Sequence, residues 1–192
     1  MNCSYVFLAN GFEEIEALSV VDIMRRAGLE VKTVSINGDL NVTGAHGVNV
    51  MADMKIAGAD FSEAEWLIAP GGLPGSQYLH ESEAVSAALK SHAAKNGKIA
   101  AICAAPAFVL SPLGILDGKE ATCYPGGEGK FRKEVIRKDA HVVKDGNIIT
   151  ANGPASAAMF ALAIVAHTLG EAVAQEIGAG MLYYQQPVNI YL

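Results

Sequence analysis

Apolar residues along this chain come in two textures that take turns. Residues 3–9 form a β-type run, Cys-Ser-Tyr-Val-Phe-Leu-Ala, that stops at Asn10-Gly11. Residues 12–27 place Ile15, Leu18, Val21 and Met24 on one face of a helix, and Gly28 supplies its stop. Residues 29–36 alternate as a strand and end at Asn37-Gly38, a turn signal. Two shorter β pieces, 40–43 and 48–51, suit a small antiparallel pair. Residues 66–69 make a brief apolar strand closed by Pro70-Gly71-Gly72. A helix over 81–96 is then capped by Gly97, and 98–102 reads as a further buried strand.

Past residue 102 the same alternation continues. A short helix is followed by a strand at 120–123 and a charged, exposed helix at 130–138. Residues 141–144 and 147–151 flank Asp145-Gly146 as a hairpin. Residues 155–169 form a long apolar helix, and 171–184 a second one before an irregular tail. Strands alternating with helices predict an α/β fold: a doubly wound, mostly parallel sheet sandwiched between helices. No repeat, linker or low-complexity stretch interrupts it, so residues 1–192 are expected to form a single domain.

Composition narrows the function class. Hydrophobic residues make up 51% and charged residues 18%, the balance of a folded, enzyme-sized domain. A net charge of -6, with no basic stripe interleaved with aromatics, argues against nucleic-acid binding. The basic clusters at Arg25-Arg26 and 130–138 read as solvated helix faces. No apolar run approaches the roughly 18 residues needed to span a bilayer. The first residues read as a strand rather than a secretory signal, so a cytoplasmic location with no membrane partner is expected. Three cysteines at unrelated spacings suggest neither a disulfide framework nor zinc, and the five histidines form no metal-ligand pattern. No metal and no cofactor are expected.

The candidate chemistry centres on Cys103, at the junction between the 98–102 strand and the short helix that follows. Ala104 and Ala105 leave room for a sharp turn, and Pro106 suits a first helical turn. Unpaired N–H groups at a helix start favour a thiolate, which makes Cys103 a candidate nucleophile; the plainer reading is a small buried apolar residue. In doubly wound sheets the ligand site lies beyond the carboxyl ends of the strands. Four segments fall there: Asn10 to Glu16, Pro70 to Ser76, Cys103-Ala104, and Asn152-Gly153-Pro154. Glu13, Glu14 and Glu16 complement a helix dipole. Glu16 could also point inward, where burial and a neighbouring thiolate would keep it protonated to donate to sulfur or to shuttle a proton. Gly71-Gly72 is either a tight turn only or, with Ala104, a source of N–H groups for a developing oxyanion.

Four pieces together carry a resemblance: Gly11-Phe-Glu-Glu-Ile-Glu16-Ala, Val21-Asp-Ile-Met-Arg-Arg-Ala-Gly28, Ala69-Pro-Gly-Gly72 and Ala100-Ala-Ile-Cys-Ala-Ala-Pro106. In this order they resemble the ThiJ/PfpI superfamily, and within it the branch of the parkinsonism-associated protein deglycase and its bacterial relatives. The resemblance implies a flavodoxin-like fold, a homodimer and a cysteine in a strained nucleophile elbow. It makes Cys103 the nucleophile or redox centre, Glu16 its protonated partner, and the N–H groups of Gly72 and Ala104 the polarisers of a bound oxygen. Gly71, Tyr124, Asn152, Gly153 and Pro154 would line the pocket.

The implied activity is that of a cysteine-dependent, cofactor-independent glyoxalase or deglycase. Its partner would be a small carbonyl compound or a glycated amine. The alternative is an oxidative-stress sensor or chaperone-like protein with an oxidisable cysteine. Three positions depart from the family pattern. Ala104 stands where peptidase-like members place histidine, which weakens a peptidase reading. Tyr124 stands where some deglycase-branch relatives carry histidine, and either relays a proton or walls the pocket. His46 stands where some carry arginine.

Overall fold

The fold is known from a computed structural model that describes residues 2–184. A seven-stranded sheet runs through its centre in the order β10-β11-β7-β6-β1-β2-β5. These strands are β1 (Ser4–Leu8), β2 (Val31–Ser35), β5 (Met54–Lys55), β6 (Trp66–Ala69), β7 (Lys98–Ile102), β10 (Val142–Asp145) and β11 (Ile148–Ala151). Every pairing is parallel except β10 with β11, a hairpin whose two turn residues are Gly146-Asn147, one position later than the expected Asp145-Gly146. Two small pairs lie outside the sheet: β3 (Asn41–Thr43) with β4 (Asn49–Met51), antiparallel, and β8 (Glu120–Ala121) with β9 (Ile136–Arg137), parallel. This is the expected doubly wound, flavodoxin-like α/β architecture.

The two-residue period of the strands divides the core. Val6 and Leu8 of β1, Ile68 of β6, and Ala100 and Ile102 of β7 face the layer of α1 (Glu14–Arg26), α4 (Ala157–Leu169) and α5 (Glu171–Gly180). Phe7, Leu67, Ala69, Ile99 and Ala101 alternate with them. They pack against α2 (Gly75–Glu81), α3 (Glu83–Ala94) and the π-helical turn Pro106–Leu110. Strands buried on both faces lose the apolar–polar alternation, which is why they read as continuous apolar runs. Trp66, wholly buried, also donates from Nε1 to Thr168 Oγ1 at 2.9 Å and ties β6 to the end of α4.

β1 sits at the switch in strand order. The chain moves from β1 through α1 to β2 on one side, then returns to place β6 on the other. The carboxyl ends of β1, β6 and β7 therefore open together at a crevice.

Four sequence expectations need correction. Residues 130–138 are not a helix: a 3₁₀ turn at Glu128–Lys130 leads to the short strand β9. The charges there serve ion pairs to the neighbouring loop, Arg132 to Asp117 at 3.0 Å and Lys138 to Glu120 at 2.8 Å. Phe131 and Val135 alone pack inward, too few for a helical stripe. The helix expected over 81–96 is α3, but a further helix that the sequence reading left out, α2, precedes it: Ser82 ends α2 in an extended conformation and caps α3 through its side chain, which accepts from the Val85 N–H. Ser82→Ala should lower stability by about 1 kcal/mol, read as a small fall in the midpoint of chemical denaturation.

The inward face of α1 is also rotated from the expected one. Glu14, Glu16, Ala17, Val20, Val21, Ile23 and Met24 are buried, whereas Ile15 and Leu18 are 56% and 38% exposed. Small side chains at Ala17 and Val20 let α1 lie close against α4, and that contact sets the rotation. Finally, α5 ends at Gly180, and the expected irregular tail lies outside the described residues.

Candidate active site

Three chain segments meet at the crevice. β7 delivers Cys103, which adopts φ +62°, a left-handed conformation costing roughly 1–2 kcal/mol for a residue with a side chain. Two main-chain bonds hold it there. Its N–H donates to Ala151 O at 2.8 Å, and its carbonyl accepts from Tyr124 N–H at 2.8 Å. Alanines on the helix side make the turn sterically possible, and Pro106 begins the π-helical turn. α1 delivers Glu16, which is completely buried. The loop after β6 delivers Gly71 and Gly72, and Gly71 N–H donates to Glu16 Oε2 at 2.8 Å.

Gly71 lies at the contact of the two reactive groups. A Cβ there would sit 2.5 Å from Cys103 Cβ, 2.6 Å from Glu16 Oε2 and 3.0 Å from Cys103 Sγ, so a side chain would separate the pair. Gly72 has φ +89°, and a Cβ on it would run into the main chain of Gly11, Phe12 and Glu13. Both positions need glycine, and the backbone can then approach the sulfur.

The thiol and the carboxyl lie side by side against Gly71. Burial pushes Glu16 up from its ordinary 4.5 to about 7; the sulfur and the Gly71 N–H oppose this, and the Glu13 charge adds to it. Its other oxygen, Oε1, is buried without a partner among the described residues, which further disfavours the charged form. Burial likewise pushes Cys103 up to about 12, helped by Glu16 and opposed by the N–H groups of Gly72 and Ala104. The donors expected to favour a thiolate are thus in place, but burial and the neighbouring carboxyl outweigh them. Above about pH 7 the pair holds one proton between two acids.

A model of the DJ-1/PfpI family matches residues 4–167 of this chain. The chain belongs to the DJ-1/PfpI family. It is 37% identical to protein dj-1beta of Drosophila melanogaster over 182 residues, covering 92% of this chain and 95% of that protein. A deglycase of Pyrococcus horikoshii is 33% identical over 149 residues, covering 77% of this chain and 87% of that one. A solved structure of oxidized DJ-1 from Toxoplasma gondii, 37% identical, superposes with a TM-score of 0.92 over 96% of this chain and 100% of that chain.

The pocket residues of this DJ-1/PfpI chain fall into two groups. Gly71, Gly72 and Ala104 surround the Cys103–Glu16 pair. Tyr124, Asn152, Gly153 and Pro154 line a separate shallow cavity of about 200 Å³ with His141 and Ser156. The two groups are joined through main chain, at the Tyr124–Cys103 and Cys103–Ala151 bonds. The Tyr124 ring, about half exposed, packs on Gly153.

His141 and Ser156 escaped the sequence reading. Ser156 Oγ donates to Asn152 Oδ1 at 2.7 Å, and Asn152 N–H donates to His141 O at 3.1 Å. The Gly146-Asn147 turn carries the missing signal: it fixes the register that pairs Val142 with Ala151, so His141 falls beside Asn152. Among the described residues, no helix is long and apolar enough to cross a membrane.

Proposed function

We propose that this chain is a cysteine-dependent glyoxalase of deglycase type acting on small reactive dicarbonyls. The observation that carries the reading is the buried Cys103–Glu16 pair, brought together at Gly71 beside the main-chain N–H groups of Gly72 and Ala104. The similarity to a Pyrococcus horikoshii deglycase supports it. With methylglyoxal, the Cys103 sulfur bonds to the aldehyde carbon as its proton passes to the Glu16 carboxylate. The aldehyde oxygen gains charge and is met by the N–H groups of Gly72 and Ala104 before it is protonated to a hemithioacetal. Glu16 then moves a proton from that carbon to the adjacent one by way of an enediol, leaving a thioester of lactate. Water hydrolyses the thioester and restores the thiol. The sum is methylglyoxal plus water giving lactic acid, so no oxidant, reductant or added thiol is consumed.

The same attack on an early glycation adduct would free its amine. The exposed apolar side chains Ile15, Leu18, Val48 and Met51 support a homodimer. The test is lactate released from methylglyoxal by the purified protein without glutathione; a yield no higher than that of buffer would reject the reading.

A second reading, oxidation sensing at Cys103, is favoured by the N–H groups of Gly72 and Ala104 at the sulfur. The relative from Toxoplasma gondii was solved in an oxidized state. Two peroxide molecules would convert the thiol through sulfenate to sulfinate with release of water, and these donors would hold the new oxygens. Mild peroxide is then expected to add two oxygens to Cys103 while sparing Cys3 and Cys123, as read by peptide mass spectrometry. Equal oxidation of all three cysteines would count against a sensing role.

A further inference from the structure

The layer of the fold opposite α1 holds a cavity that the proposed reaction does not use. It lies between α3 and residues 56–62, which follow β5, and its volume is about 310 Å³. Small-molecule sites begin at roughly 300 Å³, so it is large enough for a compact ligand. Ile56, Phe61 and Ala88 form its apolar wall, and all three also pack on the core beneath α2 and α3. The sheet separates it from α1, whose Ile15 and Leu18 support a homodimer.

Opposite charges stand at this cavity without meeting. Asp60 and Lys95 both line it, and among the described residues neither comes within 4.0 Å of an opposite charge. Asp60 Oδ1 accepts the Ser62 N–H at 2.9 Å, which holds the carboxyl below its usual range, and the Lys95 charge adds to this. Lys95 is near enough to act on the carboxylate and too far to pair with it. His92 is the one buried residue in the wall, and its Nε2 has no partner among the described residues. Gly97 lies directly against the imidazole, in space that a Cβ would fill. A buried polar atom left unpaired in the wall of a cavity is a second, independent sign of a ligand.

We propose that this cavity binds a free α-amino acid with an apolar side chain. The ligand's ammonium group meets the Asp60 carboxylate, and its carboxylate meets the Lys95 ammonium group. These are the two charge-assisted contacts that the protein leaves unmade. The His92 ring adds a hydrogen bond, and the ligand's side chain lies on Ile56, Phe61 and Ala88. A simple anion would be repelled by Asp60 and a simple cation by Lys95, so the two charges together select a zwitterion. Sequence spacing cannot reveal such a site, because Asp60 and Lys95 come together only when residues 56–62 fold against α3.

The test is calorimetric titration of the full chain with L-leucine, repeated with leucinamide, which lacks the carboxylate, and with isocaproate, which lacks the ammonium group. The expected result is one L-leucine per chain, with each analogue weaker by about tenfold or more, the cost of one lost charge-assisted hydrogen bond. Asp60→Asn and Lys95→Gln should each weaken L-leucine by a similar factor. Both side chains are exposed, so the fold, checked by circular dichroism, should persist. Amide chemical shifts in the labelled protein should move at Phe61, Ala88 and Lys95 and stay fixed at Gly72 and Ala104. Absence of binding, equal binding of either analogue, undiminished binding in both charge variants, or shifts centred on Gly72 and Ala104 would each overturn the proposal.

Discussion

Cys103→Ser is expected to reduce lactate formation from methylglyoxal to the buffer level, a loss of roughly three orders of magnitude or more. Serine nearly matches cysteine in shape, so the main-chain bonds to Ala151 and Tyr124 should survive and the fold with them. The chemistry should not survive. A carboxylate near 7 is a poor match for a thiol at about 12 and a far poorer one for an aliphatic hydroxyl, whose oxygen is also the weaker nucleophile. Circular dichroism and thermal unfolding would establish that the variant is folded, and lactate would be followed against time. Turnover preserved in the folded variant would remove Cys103 from the mechanism. Lactate formed by the wild type but not the variant would also separate enzymatic conversion from slow reaction of the dicarbonyl with surface amines.

How far the sequence carries can be judged residue by residue. Trp66–Ala69 and Lys98–Ile102 are strands at the expected positions, because a run buried on both faces leaves few other assignments. The hairpin was legible from Asp145-Gly146, whose backbone preference is local, although its turn falls one residue later, at Gly146-Asn147. Glu16 was legible as an inward carboxyl at the start of α1, and it is buried beside Gly71 and Cys103. What could not be read depended on contacts distant in the chain. The exposed faces of Ile15 and Leu18 depend on how α1 lies against α4. Residues 130–138 follow ion pairs to Asp117 and Glu120 rather than a helical period. The upward push on the Cys103 thiol comes from burial, a property of the assembled layers and not of the turn that holds the sulfur.

Glu16→Gln is expected to change stability and rate in opposite directions. Glu16 has a folded value near 7, raised from 4.5, so the fold favours the protonated side chain. Its contribution is fully present below about pH 4.5 and is lost as pH rises through about 7. Over that interval the wild type gives up roughly 3 kcal/mol that a neutral amide does not. Glutamine can still accept the Gly71 N–H, so the stability of the variant relative to wild type should rise by that amount between pH 4.5 and pH 8. Urea denaturation of both proteins at the two pH values measures it. A gap that did not move with pH would mean that Glu16 is ionised at little cost in the fold. Activity should move the other way. The amide cannot take the thiol proton, so kcat should fall by roughly two to four orders of magnitude. The wild-type rate, which needs the pair to hold one proton, should climb with pH through about 7, and this limb should vanish in the variant. A variant more stable than wild type at pH 8 and yet inactive would identify one carboxyl as the source of both effects, because generalised unfolding would lower both together.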